Sequence, residues 1–120
     1  MSESARTSDC LFCRIAAGDI PGTILFQDDS LVAFKDVDPQ APMHVLIVPR
    51  KHIASLNDLT SADDGLVGSM FRLAASLAKK HGYHESGYRT VFNTNRDGGQ
   101  SVFHVHLHLL AGRSLTWPPG

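Results

Sequence analysis

A chain of 120 residues with 42% apolar side chains has enough material for one ordinary domain around one core. Its 11 Lys and Arg against 12 Asp and Glu leave a formal charge of −1, which excludes bulk electrostatic attraction to nucleic acid or an anionic membrane; any anionic ligand needs a local site. The polar start MSESARTSDC is no signal peptide, no apolar run nears the roughly 20 residues of a membrane span, and two cysteines three apart make no disulfide framework, so the chain reads as soluble and cytoplasmic.

Residues 1–9 read as a disordered lead and 10–120 as a single domain. Leu11, Phe12 and Ile15 have helical spacing and Gly18 supplies a stop, which predicts a short helix over 10–17. Thr23–Gln27 and Leu31–Lys35 are apolar, partly β-branched runs around Asp28-Asp29-Ser30, the pattern of a hairpin. Asp36–Pro42 is a proline-containing loop, and His44–Val48 is a third strand closed by Pro49. Thr60-Ser61-Ala62-Asp63 is a capping-box pattern, and Leu66, Met70, Leu73, Ala74 and Leu77 follow at a spacing near 3.6, which predicts a long helix over 61–80 ended by Gly82. Tyr88–Asn93 is a strand, Arg96–Ser101 a glycine-rich turn, and Phe103–Leu110 the last strand. The order predicts an α+β domain with a mainly antiparallel sheet, one long helix and a short N-terminal helix.

His104, His106 and His108 alternate with Val105, Leu107 and Leu109. On a strand such a row shares one face, with neighbours roughly 6.5–7 Å apart, while the aliphatic residues turn to the core. Imidazoles titrate near neutrality, so the row suits a nucleophile, a proton donor and an orienting group; a shared metal ion is the other chemistry it suits. Just before it, Asp97-Gly98-Gly99-Gln100-Ser101 combines glycines, an amide and a hydroxyl. As an ordinary turn it is unremarked, but beside three imidazoles it favours capture of a phosphate by backbone N–H groups.

The run His104-Val105-His106-Leu107-His108-Leu109-Leu110 resembles the signature of the histidine triad (HIT) superfamily. Asp38-Pro39-Gln40-Ala41-Pro42 before His44, Gly98-Gly99-Gln100-Ser101, and the ending Trp117-Pro118-Pro119-Gly120 resemble its branch of histidine triad nucleotide-binding proteins, over nearly the whole chain from Leu11. The resemblance implies a HIT-like α+β fold, a homodimer, and hydrolysis of purine nucleoside 5′-phosphoramidates to AMP or GMP and an amine, with no metal needed for catalysis. It implies His106 as nucleophile through a nucleotidyl-histidine intermediate and His108 on the phosphate. By the same resemblance His44 and His104 would complete the proton and hydrogen-bond network, and Gly99, Gln100 and Ser101 would lie along the phosphate and leaving group. Asn93, Asp36 and Val37 would hold the ribose, and Leu11, Phe12 and Ile15 would wall the purine. Trp117 would act on the leaving group of the partner's site, reached by the tail.

Cys10-Leu11-Phe12-Cys13 has three readings: a redox pair, for which the βαβ context is missing; half of a tetrahedral zinc site; or two small buried apolar groups. The resemblance supplies His52 and His104 as zinc partners. His81 and His84 flank the end of the long helix and read as surface residues. Two rival functions stand beside the hydrolase: a dinucleoside polyphosphate hydrolase, which the Trp-Pro-Pro-Gly tail disfavours, and a nucleotide- or zinc-binding interaction protein whose catalysis is incidental.

Overall fold

Alternation of apolar side chains along the central segments builds a sheet with two buried faces. The computed structural model describes residues 9–120, so all but the last residue of the predicted N-terminal lead lies outside the described residues. Five strands, β1 (Ile24–Gln27), β2 (Leu31–Lys35), β3 (Met43–Pro49), β4 (Tyr88–Val91) and β5 (Leu107–Ala111), form one antiparallel sheet in the order β1-β2-β3-β5-β4. Helix α1 (Leu11–Ala16) precedes the sheet, α2 (Asp64–Lys80) connects β3 to β4, and a single-turn α3 (Asn95–Gly98) connects β4 to β5. Among the described residues no helix is long and apolar enough to cross a membrane.

Odd-numbered side chains such as Ala33, Val45, Ile47, Leu107 and Leu109 pack on Met70, Ala74, Leu77 and Ala78 of α2. Their even-numbered neighbours Val32, Phe34, Leu46 and Val48 face the other way, onto Phe12 and Ala16 of α1. The β1–β2 hairpin is closed by Asp28, whose carboxylate accepts the N–H groups of Ser30 and Leu31, both at 2.8 Å. The start of α2 follows the predicted capping box: a 3-10 turn over Ser61–Asp63 leads in, Thr60 Oγ1 accepts from Ala62 N–H, and the Asp63 carboxylate accepts from Thr60 N–H at 3.0 Å. His81 caps the other end, and Gly82 follows at φ +86°.

Two expectations are corrected. The last strand begins at Leu107, not Phe103, because β3 runs out of ladder donors opposite that stretch: Pro49 has no N–H, and Val105 N–H turns to the Ile53 carbonyl at 2.7 Å. The glycine-rich turn contains α3, with Gly99 as its left-handed cap at φ +82°. The long helix proper begins at Asp64, three residues after the expected start, with the 3-10 turn filling the gap, and the remaining boundaries agree to within two residues.

Candidate active site

Because β5 starts at Leu107, only His108 lies on a strand, and the predicted row of three rings on one strand face is not formed. Val105, Leu107 and Leu109 are buried as expected, and His108 emerges on the face that carries Phe34 and Leu46. His106 stands edge-on to Phe12, with centroids 4.9 Å apart and planes at 85°, and lies 5.0 Å from His108. His104 is fully buried and turns instead toward the cysteines of α1.

The hydrogen bonds fix which nitrogen of each ring carries the proton. A carbonyl only accepts, so the 2.8 Å contact between His106 Nδ1 and the His104 carbonyl makes Nδ1 the N–H and leaves a lone pair on Nε2. Gln40 N–H donates to His44 Nδ1 at 3.0 Å, which puts the His44 proton on Nε2. That proton faces His108 Nδ1 at 2.9 Å, so neutral His108 presents its own N–H on Nε2. Asp36 Oδ2 lies 3.4 Å from His44 Nε2, and its Oδ1 accepts from Asp38 N–H at 2.9 Å.

Burial lowers the pKa of every ring in this group. His44 is lowered by desolvation in spite of Asp36 and Asp38, and His106 is lowered by desolvation in spite of its bond to the His104 carbonyl and of Asp36. His108 falls to about 4 through desolvation and then the neighbouring rings of His106 and His44. At neutral pH the site therefore holds uncharged imidazoles: a lone pair on His106 beside an N–H on His108.

Both rings border a cavity of about 850 Å³ whose wall includes Leu11, Phe12 and Ile15 of α1, the Asp36-Val37 segment and Ser101. The size suits a nucleotide, and the apolar wall of α1 suits a flat base. Asn93, Gly99 and Gln100 are not in the lining. Gln100 is buried inside its own loop: Nε2 donates to the Ala54 carbonyl at 2.7 Å and the Val102 carbonyl at 3.1 Å, while Oε1 accepts from Asn95 N–H at 2.9 Å. The amide expected at the phosphate is thus occupied as a brace. Trp117 is 81% exposed and also outside the lining. Sequence reasoning passed over Phe34, Leu46 and Val102, which join the wall; Leu46 could have been found, since it sits two residues from His44 on the same strand face. The Gln40 N–H and the Pro49 carbonyl are main-chain groups and left no sequence signal.

A second constellation lies beside the first. Cys10, Cys13, His52 and His104 each present one ligand atom, all within 4.8 Å of one another. His104 Nε2–H donates to the Pro49 carbonyl at 2.7 Å, so its Nδ1 is a free lone pair, 3.3 Å from Cys10 Sγ, 3.4 Å from Cys13 Sγ and 3.2 Å from His52 Nδ1. Two sulfurs and two ring nitrogens, with an outer carbonyl holding one ring, fit a tetrahedral zinc-type ion. The other readings of the cysteine pair explain neither the convergence of two imidazoles nor the orientation of His104. A further group, Asp36, His44 and His108, also converges, but its members are already joined by the proton-bearing contacts above. His81 and His84 are exposed, as expected.

Residues 9–116 match the family described as "Scavenger mRNA decapping enzyme C-term binding". The chain belongs to the histidine triad (HIT) family of hydrolases. It is 45% identical over 107 residues to the purine nucleoside phosphoramidase of Escherichia coli strain K12, covering 89% of this chain and 90% of that one. An uncharacterised HIT-like protein of Synechococcus elongatus is 46% identical over 114 residues, 95% of this chain and 99% of its own length. Among solved structures, a HIT family hydrolase from Legionella pneumophila Philadelphia 1 superposes with a TM-score of 0.92 at 54% identity, over 93% of this chain and 100% of that one.

Proposed function

We propose that this hydrolase cleaves purine nucleoside 5′-phosphoramidates, with His106 as the nucleophile. The observation that carries the reading is the pair of complementary tautomers at the cavity: a lone pair on His106 Nε2 and an N–H on His108 Nε2. The purine lies against Leu11, Phe12 and Ile15, and the ribose hydroxyls donate to Asp36. His106 Nε2 bonds to phosphorus as the P–N bond to the amine breaks, and the amine leaves as its nitrogen takes up a proton from solvent, which the water that attacks in the second step gives back. Throughout, the His104 carbonyl holds Nδ1–H, so the positive charge gained by the ring is stabilised where it forms. His108 donates to a phosphoryl oxygen, supported by His44. Water then breaks the new P–N bond, releasing AMP or GMP and restoring neutral His106. The E. coli phosphoramidase at 45% identity supports the choice of substrate class.

The same reading carries a structural zinc ion held by Cys10, Cys13, His52 and His104, a cytoplasmic setting, and a homodimer. The dimer is supported by β4, an open sheet edge, and by the exposed Tyr88 and Phe71 next to it. The decisive experiment is turnover of adenosine 5′-phosphoramidate by the protein and by His106→Ala, with and without a chelator, alongside a diadenosine polyphosphate. AMP release that the substitution abolishes supports the assignment. A faster reaction on the polyphosphate overturns the substrate class, and persistence of activity in His106→Ala overturns the nucleophile.

A further inference from the structure

The two constellations share one residue. His104 gives its ring to the Cys10–Cys13–His52 group and its main-chain carbonyl to His106 Nδ1–H. They also share one element. Cys10 is the N-cap of α1 and Cys13 lies in its first turn, so whatever gathers the two sulfurs fixes the helix that carries Leu11, Phe12 and Ile15 into the cavity wall. Phe12 sits between the cysteines in sequence and packs edge-on to His106 at 4.9 Å and to Phe34 at 5.4 Å. The ring of His104 cannot turn over without losing the Pro49 carbonyl at 2.7 Å, so a shift of the group is passed to the peptide that follows it.

We propose that the Cys10, Cys13, His52 and His104 group is a positioning device for the reaction: a zinc-type cation held there sets the tautomer of His106 and the placement of the purine wall together. The proposal rests on His106 being the nucleophile. With a cation, four short coordinate bonds hold α1, the Pro49–His52 segment and the His104 peptide in one arrangement. Without one, thiol–imidazole and imidazole–imidazole contacts of 3.2–3.4 Å join the same groups, and such weak donors and acceptors permit several arrangements. Loosening the His104 peptide frees His106 to carry its proton on Nε2, the form that cannot attack. Loosening α1 moves Phe12 and the base wall. Cys10, Cys13 and His52 are accordingly positioning residues that never touch substrate.

The test uses full-length protein in three forms: zinc-loaded, chelator-stripped, and stripped then reloaded with zinc or cobalt. His52→Ala serves as a milder disruption than a change at buried Cys13. Cobalt absorption in the visible range reports a tetrahedral Cys2His2 site. Long-range nitrogen–proton NMR of the imidazoles reads the His106 tautomer, calorimetry reads AMP affinity, and steady-state kinetics on adenosine 5′-phosphoramidate separate KM from kcat. Expected on stripping, with far-UV circular dichroism unchanged, are a mixed His106 tautomer, AMP binding weaker by on the order of tenfold, and a fall in kcat, all restored by reloading. A stripped protein that has a lower melting temperature but an unchanged tautomer and AMP affinity overturns the proposal, as does failure to bind zinc or cobalt at all. The two readings separate cleanly: a metal-dependent tautomer without phosphoramidate turnover removes the proposed reaction, and turnover indifferent to metal removes the positioning role.

Discussion

His106 has its lone pair on Nε2 because one carbonyl, that of His104, takes the proton on Nδ1. Burial then keeps the ring uncharged, since desolvation lowers its pKa below the ordinary 6.5 more than Asp36 raises it. A protonated imidazole has no lone pair, so kcat/KM on a phosphoramidate falls as pH drops, and the acid limb of the profile lies below pH 6.5 rather than at it. An acid limb at or above 6.5 would show the ring to be solvated. Gln100 gives a second prediction at this scale. Its amide satisfies the Ala54 and Val102 carbonyls and Asn95 N–H, so Gln100→Ala leaves buried polar groups unpaired at a cost of about 1–3 kcal/mol. The measurable result is a fall in melting temperature, with AMP affinity changed less than stability; the reverse pattern would return the amide to the phosphate.

At the scale of elements, the segment after β5 braces the imidazole cluster from behind. Arg113 Nε donates to the Gln40 carbonyl at 2.9 Å, and the N–H of the same Gln40 sets the His44 tautomer. The chain reaches that position through Gly112, at φ +99°, where an added Cβ would meet Pro42 Cβ at 2.8 Å. Gly112→Ala therefore suffers both backbone strain and a clash with a ring that cannot move away. It should cost about 1–3 kcal/mol, read as a lower denaturation midpoint, and it should lower kcat by disturbing Gln40; unchanged stability would mean that Pro42 yields freely. Such contacts mark what the sequence hid. Helices α1 and α2, the Asp28 turn and the Thr60 capping box were legible because each depends on neighbours in the chain. The start of β5 was not, because it depends on Pro49, more than fifty residues away and without an N–H to offer. The same distance concealed the turning of His104 away from His106 and His108, which alternation alone could not reveal.

For the molecule as a whole, the fold sets a buried seam of imidazoles between α1 and the sheet: His104, His106, His108 and His44 run from the cysteine group to the Asp36 loop. All four have pKa values lowered chiefly by desolvation, His104 and His108 to about 4. A base whose folded pKa is depressed binds its proton more readily in the unfolded chain, so between about pH 4 and 6.5 the unfolded state holds more protons and stability increases with pH. In metal-free protein the melting temperature should thus be level above pH 7 and decline steadily from 6.5 toward 4. Asp63 adds a later loss: Lys51 at 2.8 Å and Thr60 N–H hold its carboxyl below the usual range, so its contribution disappears only as pH falls below the ordinary carboxylate value of 3.8. Calorimetric scans at half-unit intervals separate the two, and His108→Gln should flatten the slope between 6.5 and 4 while leaving the lower step intact. A melting temperature constant down to pH 4.5 would mean that these rings take up protons as freely folded as unfolded, so that burial does not extend the neutral state of His106 and His108 below pH 6.5.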